Sequence, residues 1–438
     1  MNRSIFAKFT SLCLVFVPAV SACGIMDIAA DVDGGSVGGQ TGVGGNSGTD
    51  VGGMSSDGGA STGPTPSGVL PCDILQSVGN PCVAAHSTVR VLIAGYTGPL
   101  YQVCKGTTDQ GPSSCKGTAQ DIGSVDGYAD AAAQDTFCTS ATCYITKIYD
   151  QTANHNDLEP APPGGNKTTP DNPAIATLLP TTVNGKNAYG IRIKPGMAYR
   201  TGCTDCNTKL GIGVATGDQP ETVYMVSSQQ ELVNGCCFDY GNAETSTHDD
   251  GNGCAEAVYF GKGVIWGTGT GPGPWVMADL ENGLFAGWEN LQDKNISTNT
   301  SLSFDFVTAI LVGDTADKNA GKGRFALYGG DATSGGLKTM YDGIRPEKLG
   351  YVPMQKQGSI VLGTAGDNSA SDGGRFYEGV MANGAATKQT LDALQASIVA
   401  ARYGSPLTCR EIGYSCQSNE DCCSSVCTSG GICMTSIL

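Results

Sequence analysis

Between residues 71 and 407 the chain repeats one pattern: a short β-rich run, then a turn rich in Gly, Asn, Asp or Pro. The runs include CYITKIYD, NAYGIRI, ETVYMVSS, AEAVYF, PWVMADLE, SFDFVTAILVG, GRFALYGG, SIVLGT and GRFYEGVMA. Branched and aromatic side chains suit a pleated, half-buried surface, and runs of about four to eight residues are strand-sized. Many short strands with few helical periods predict an all-β sandwich rather than an α/β fold. Only 15% of residues are charged and 64 are glycine, which fits a sheet-rich body better than a helical bundle. One helix is predicted in TKQTLDALQASIVAARYG, where Leu391, Leu394, Ile398 and Ala401 form a single apolar stripe. Gly404 is expected at its C′ position, and the stripe is expected to pack on the back of a sheet.

The two ends differ from this body. Residues 1–22 read as an export signal, with Arg3 and Lys8 ahead of an apolar run from Leu12 to Val20. Val20-Ser21-Ala22-Cys23 resembles the lipobox of bacterial lipoproteins, which implies lipidation of Cys23; the alternative is ordinary cleavage after Ala22. Residues 23–70 are dominated by Gly, Ser, Thr and Asp and cannot bury enough apolar surface to offset their ordering entropy, so a flexible tether is expected. The tail, 408–438, contains C-x6-C-x5-CC-x3-C-x5-C from Cys409 to Cys433. That spacing resembles the knottin family, a small disulfide-rich module stapled by its cystines. The resemblance implies Cys409–Cys423, Cys416–Cys427 and Cys422–Cys433, although spacing alone leaves fifteen connectivities open.

Of 19 cysteines, Cys13 and Cys23 precede the body and six follow residue 408, which leaves eleven. An exported chain with that many is expected to form disulfides. Close spacing suggests Cys72–Cys82, Cys104–Cys115, Cys138–Cys143 and Cys203–Cys206. Cys236 and Cys237 are adjacent, and Cys254 is left over. A bond between sequence neighbours is strained, and such strain marks functional sites.

The net charge of −16 argues against nucleic acid, whose phosphates need clustered Lys and Arg. His86, His155 and His248 show no metal spacing, and no paired CxxC zinc pattern occurs. GTGTGPGP (267–274) has prolines where a nucleotide-binding helix must begin, and G-x-S-x-G is absent. HDDGNG (248–253) could hold calcium. In GPWVMADLENGLF (273–285) an extended strand would put Trp275, Met277, Asp279 and Glu281 on one face, and Val276, Ala278 and Leu280 on the other. Two carboxylates beside an aromatic on a sheet face can floor a sugar site; an ordinary solvent-facing strand is the alternative. Asp367 follows a buried-looking strand in the Gly-rich loop of SIVLGTAGDNSASDGG (359–374), where backbone could approach a ligand, or where it is simply a turn aspartate.

Several stretches together resemble the catalytic domain of glycoside hydrolase family 54, the α-L-arabinofuranosidases. They are PCDI (71–74), PCVAAHSTVR (81–90), GPLYQV (98–103), ADAAAQDTFC (129–138), IYDQTANHNDL (148–158), APPGG (161–165), CCFDYGNAETS (236–246), GPWVMADLENGLF (273–285), LGTAGDNS (362–369) and FYEGVM (376–381). The resemblance implies a concanavalin-like, jelly-roll β-sandwich. It also implies release of terminal arabinofuranosyl groups from arabinan or arabinoxylan with retention of configuration. Carried over by position, Glu281 is the nucleophile and Asp367 the general acid/base. Asp279, Asn282 and Gly366 hold the sugar, Trp266 packs against it, and Cys236–Cys237 form a disulfide that offers it a flat apolar surface. No cofactor or metal is implied. The partners expected are an arabinose-containing plant polysaccharide or oligosaccharide and, through Cys23, a membrane; the protein is expected to act as a monomer.

Family members commonly carry a C-terminal arabinose-binding β-trefoil, whereas residues 408–438 hold the knottin-like pattern. Tether and lipobox suggest a bacterial cell-surface enzyme. The alternatives are a non-catalytic sugar-binding lipoprotein on the same sandwich, and an enzyme that also releases β-xylose.

Overall fold

The computed structural model describes residues 69–165, 167–202, 210–233, 235–264, 267–287, 296–347, 350–369, 371–405, 428–432 and 434. Residues 23–68 of the expected tether with Cys23, and Cys203, Cys206, Trp266 and the six cysteines of the tail, lie outside the described residues; Leu70, expected in the tether, is buried at the start of the body.

Two large antiparallel sheets contain β1 (Cys82–Ser87), β2 (Glu159–Pro160), β3 (Tyr199–Arg200), β4 (Glu221–Ser227), β5 (Asp239–Ala243), β6 (Glu256–Gly261), β7 (Trp275–Asp279), β8 (Leu284–Phe285), β9 (Val307–Asp314), β10 (Arg324–Asp331), β11 (Lys338–Gly343), β12 (Ser359–Leu362) and β13 (Glu378–Asn383). The first sheet runs β1-β13-β4-β9-β10-β11 and the second β8-β7-β6-β5-β12-β3-β2. Smaller sheets and three helices, α1 (Pro71–Ser77), α2 (Ala131–Phe137) and α3 (Lys388–Ala400), complete the body.

Register explains why the central strands of the first sheet, β4, β9 and β10, are buried almost throughout. Val223 faces Leu311, and Leu311 faces Leu327; one residue along, Tyr224, Ile310 and Tyr328 form the next row. Successive side chains point to opposite faces. The Val223 row joins Val258, Phe260, Val276, Ala278 and Ile360 of the second sheet in the core between the sheets. The Tyr224 row packs on Leu391, Leu394 and Ile398 of α3 and Leu75 of α1. Both faces of this sheet are covered, so alternation gives way to continuous apolar runs.

The apolar stripe of α3 is buried as its periodicity predicts, and Thr387 caps the helix by accepting from the Thr390 N–H. Its end corrects the expectation at Gly404. Ala401 is the C-cap, Arg402 takes the left-handed conformation (φ +52°), and Gly404 lies in an extended pair with Tyr403. Tyr403 pairs with Val183 and Gly404 with Thr182. The early exit buries Tyr403, whose hydroxyl donates to Glu378 at 2.5 Å. That carboxylate is fully buried and takes a bidentate fork from Arg90 at 2.6 and 2.7 Å.

Cys72–Cys82, Cys104–Cys115, Cys138–Cys143 and Cys236–Cys237 are disulfides. Cys254 is a buried thiol whose sulfur lies 3.6 Å from the Asp250 carbonyl.

Candidate active site

The second sheet turns one face to the core and the other to the site. Tyr240, Val258, Val276 and Ala278 point inward. By alternation Asp239, Gly241, Ala257, Tyr259, Met277 and Asp279 point the other way. A single cross-strand row on that outer face reads Arg200, Val361, Gly241, Ala257, Asp279, Leu284, from β3 to β8. Its middle is built from small residues. At Gly241 (φ +153°) an added Cβ would come within 2.6 Å of the Ala257 Cα, so no side chain fits there.

Asp279 ends β7 and is buried. Burial raises its carboxyl to about 6, with hydrogen bonds from the Asp239 side chain and the Glu281 N–H opposing that rise. Asp239, fully buried on β5, is pushed well above the usual carboxylate range by burial and by the neighbouring Asp279. Two ionised carboxylates cannot hydrogen-bond each other. A proton retained on Asp239 makes it the donor and Asp279 the charged acceptor.

Glu281 departs from the expected strand alternation. The hairpin turns after Asp279, with Leu280 N–H donating to the Gly283 carbonyl at 3.2 Å, and β8 returns beside β7. Glu281 has φ +82°, and its N–H donates to Asp279 Oδ1 at 3.1 Å. The second carboxylate is therefore presented from a turn closed by the first, not from the strand itself. A loop that is exposed at 248–250 and half-buried at Asn252 backs this turn: Asn252 Oδ1 accepts from Asn282 Nδ2 at 2.5 Å and from Tyr351 Oη at 2.9 Å. Gly253 N–H reaches the Leu280 carbonyl at 3.3 Å. Part of HDDGNG thus docks on the Glu281 turn, while Asp250 accepts from Ser246 and Gln357.

Asp367 is buried in the loop after β12, with Oδ1 accepting from the Ser369 N–H at 2.8 Å. The APPGG segment closes on it from behind. A Cβ on Gly165 (φ +51°) would lie 2.7 Å from Asp367 Oδ2, and one on Gly164 would overlap the Asp367 carbonyl. Gly366 is as closely hemmed in: a Cβ there would lie 2.9 Å from Ala255 Cβ and would overlap the buried Glu244 carboxylate. Burial and then the Asp367 charge push Glu281 up to about 8, while Arg200 pulls it down. The Glu281 carboxyl therefore holds its proton more firmly than an ordinary glutamate does.

The Cys236–Cys237 pair lies beside Asp279, with Cys236 Sγ 3.8 Å from Asp279 Oδ2. Among the described residues these two sulfurs and the Asp279 carboxylate are the one group of three potential metal ligands within 4.8 Å, but the sulfurs are bonded to each other and offer no thiolate. Glu281, Asp367, Asp279, Cys236, Cys237, Asn282 and Gly366 thus belong to one neighbourhood, and Trp266 lies outside the described residues. Sequence reasoning missed Arg200, Asp239, Glu244 and Asn252. Asp239 and Glu244 lie within CCFDYGNAETS and Asn252 within HDDGNG, but neither stretch shows locally what these side chains face; that follows from strand register and loop packing, as it does for Arg200.

Fold and site together define a β-sandwich of the carbohydrate-active class, with an acidic pair at one edge of a sheet. The family described as alpha-L-arabinofuranosidase B, catalytic, matches residues 71–404, and the chain belongs to it. It is 49% identical over 347 residues to the probable alpha-L-arabinofuranosidase B of Aspergillus terreus, covering 77% of this chain and 63% of that protein. It is 48% identical to the arabinofuranosidase/B-xylosidase of Trichoderma koningii, covering 77% and 64%. The chain thus spans less than two thirds of the length of these relatives. A crystal structure of an arabinofuranosidase complexed with arabinofuranosyl-alpha-1,2-xylobiose superposes with a TM-score of 0.70 at 42% identity, over 80% of this chain and 68% of that one.

Proposed function

We propose that the protein is an exo-acting, retaining α-L-arabinofuranosidase, with Glu281 as nucleophile and Asp367 as general acid/base. The observation that carries this reading is the pair itself: two carboxyls near enough for the Asp367 charge to act on Glu281, beside a floor that includes Asp279 and the joined sulfurs. In the first half Glu281 carboxylate attacks the anomeric carbon, the glycosidic bond breaks towards its oxygen, and Asp367 donates a proton there. In the second, Asp367 takes a proton from water, the water oxygen bonds to the anomeric carbon, and the ester electrons return to Glu281.

Burial and the Asp367 charge push the Glu281 carboxyl up to about 8, whereas reaction needs Glu281 ionised. Positive charge developing at the anomeric carbon favours an ionised Glu281, so substrate supplies the bias. On this reading the Asp279 carboxylate accepts from sugar hydroxyls, Asn282 accepts or donates, and Cys236–Cys237 meet an apolar sugar face.

The substrate class proposed is arabinan- or arabinoxylan-type polysaccharide or its oligosaccharides. A β-xylosidase side activity is a second reading, favoured by the double name of the T. koningii relative. Residues 1–22 support export, and Cys23 lipidation with membrane anchoring rests on the lipobox-like Val20–Cys23 segment. The test is hydrolysis of an aryl α-L-arabinofuranoside and an aryl β-xyloside by the wild-type chain and Glu281→Gln. Arabinose release by wild type alone is expected. Turnover by Glu281→Gln at the wild-type rate removes the nucleophile assignment, and sugar binding without turnover by wild type favours a non-catalytic sugar-binding protein.

A further inference from the structure

Arg200 is almost fully buried, yet among the described residues it makes no ion pair. Its guanidinium donates to two carbonyl oxygens, that of Gly366 at 3.2 Å and that of Glu244, and its Nε–H meets no acceptor. Burial pulls this group down to about 10, so it is still charged at neutral pH. A buried cation is costly unless negative charge lies close by. The charges that act on Arg200 are Asp367 and Glu281, both favouring its charged form.

We propose that Arg200 is a positioning residue for the reaction, a fixed counter-charge that keeps one negative charge on the Glu281–Asp367 pair through both halves of the cycle. This rests on the glycosidase reading given above. In that cycle the pair begins with Glu281 ionised and Asp367 protonated. After the first half Glu281 is a neutral ester and Asp367 a carboxylate; after the second the starting state returns. The pair carries a charge of minus one throughout, while that charge moves from one residue to the other.

A direct salt bridge from Arg200 to either carboxylate would pin the charge on one side. Holding the guanidinium by the carbonyls of Gly366 and Glu244 instead keeps it facing both. Gly366 precedes Asp367 in the chain, so the same hydrogen bond also anchors the loop that carries the acid. The row from Arg200 to Asp279 places the cation on the floor of the site, on the same sheet face as Asp279. Around the pair stand Asp279 and Tyr351 beside Glu281, Glu244 behind Gly366, and Asp239 with Asp372 next to it. The cavity that Arg200 lines also holds His155 and Lys147, the latter paired with Asp157 and Glu159. Among the described residues Arg200 is the cation acting on Glu281.

A positive charge favours the ionised pair, so removing it strengthens the hold on the last proton. The experiment is the pH dependence of kcat/KM on an aryl α-L-arabinofuranoside for the full chain, Arg200→Met and Arg200→Lys. The basic limb of Arg200→Met is expected about one pH unit above that of wild type, with Arg200→Lys close to wild type. A basic limb for Arg200→Met that coincides with wild type overturns the inference, even if kcat falls, because a purely structural role lowers the rate without moving the limb. A Lys variant displaced as far as the Met variant overturns it too. Should Arg200→Met not fold, Arg200→Gln, which retains a donor for the Gly366 carbonyl, is read in the same way. Absence of hydrolysis by wild type removes the glycosidase reading itself, whereas an active wild type with unmoved limbs removes only the role of Arg200.

Discussion

Arg200 and Asp279 stand in one cross-strand row of the second sheet, separated by Val361, Gly241 and Ala257. The row puts a buried cation and a buried carboxylate on the same face, with small side chains between them. Loops after β7 and β12 then bring Glu281 and Asp367 over that face, so the site's charges are set by sheet register and by two turns.

Glu281 makes folding stability pH-dependent. Its carboxyl rises from the ordinary 4.5 to about 8 in the folded protein. Between these values the folded state binds more protons than the unfolded, so this group's contribution is complete below about pH 4.5 and is lost as pH rises through 8. Urea unfolding at pH 4.5, 6.5 and 8.5 is expected to show wild type weakening relative to Glu281→Gln as pH rises. Parallel stability curves would show that the carboxyl titrates normally.

On the proposed function, Asp239 acts on substrate through Asp279. Asp239→Asn retains a donor towards the Asp279 carboxylate, and Asp239→Ala does not. A hydrogen bond to a charged group is worth about 1.5 kcal/mol or more, on the order of tenfold in affinity. The Ala variant is expected to raise KM by about that factor with the Asn variant near wild type. Equal KM values for the two variants would contradict a donor role.

Gly165 is required by the acid at position 367. A methyl group there would lie 2.7 Å from Asp367 Oδ2 and 2.6 Å from Ser369 Cβ, and φ +51° disfavours any side chain. Gly165→Ala is expected to lower kcat by up to about 100-fold by displacing Asp367, while the thermal midpoint falls by only a few degrees. An unchanged kcat would mean that the loop yields without moving the carboxyl.

Arg90→Met tests the core. It strips Glu378 of its bidentate partner in a fully buried place, leaving only the Tyr224 and Tyr403 hydroxyls. An uncompensated buried charge costs about 3–5 kcal/mol. Denaturant unfolding should register a loss of that order, and a loss below about 1 kcal/mol would show that Glu378 takes up a proton cheaply.

Whatever depends on neighbours along the chain can be read from the order of its residues. Strand-sized apolar runs specified the strands, because the period of a strand is local. Close cysteine spacing specified Cys72–Cys82, Cys104–Cys115 and Cys138–Cys143, and the stripe on α3 specified which side of that helix is buried. Glu281, Asp367 and the cysteine pair were legible because short stretches carry the family resemblance. Tertiary structure decided the rest. Arg200 and Asp279 are 79 positions apart, and only the pairing of five strands puts them in one row. Asp239 donates to Asp279 because β6 alone separates their strands. Glu281 left the strand alternation because its turn closes on Asp279, and Gly404 left the helix end because Tyr403 had a buried hydrogen bond to reach. Hydrophobic periodicity reports which face of an element is covered. It carries no record of what lies across the sheet, and charge, burial and proton affinity at this site all come from there.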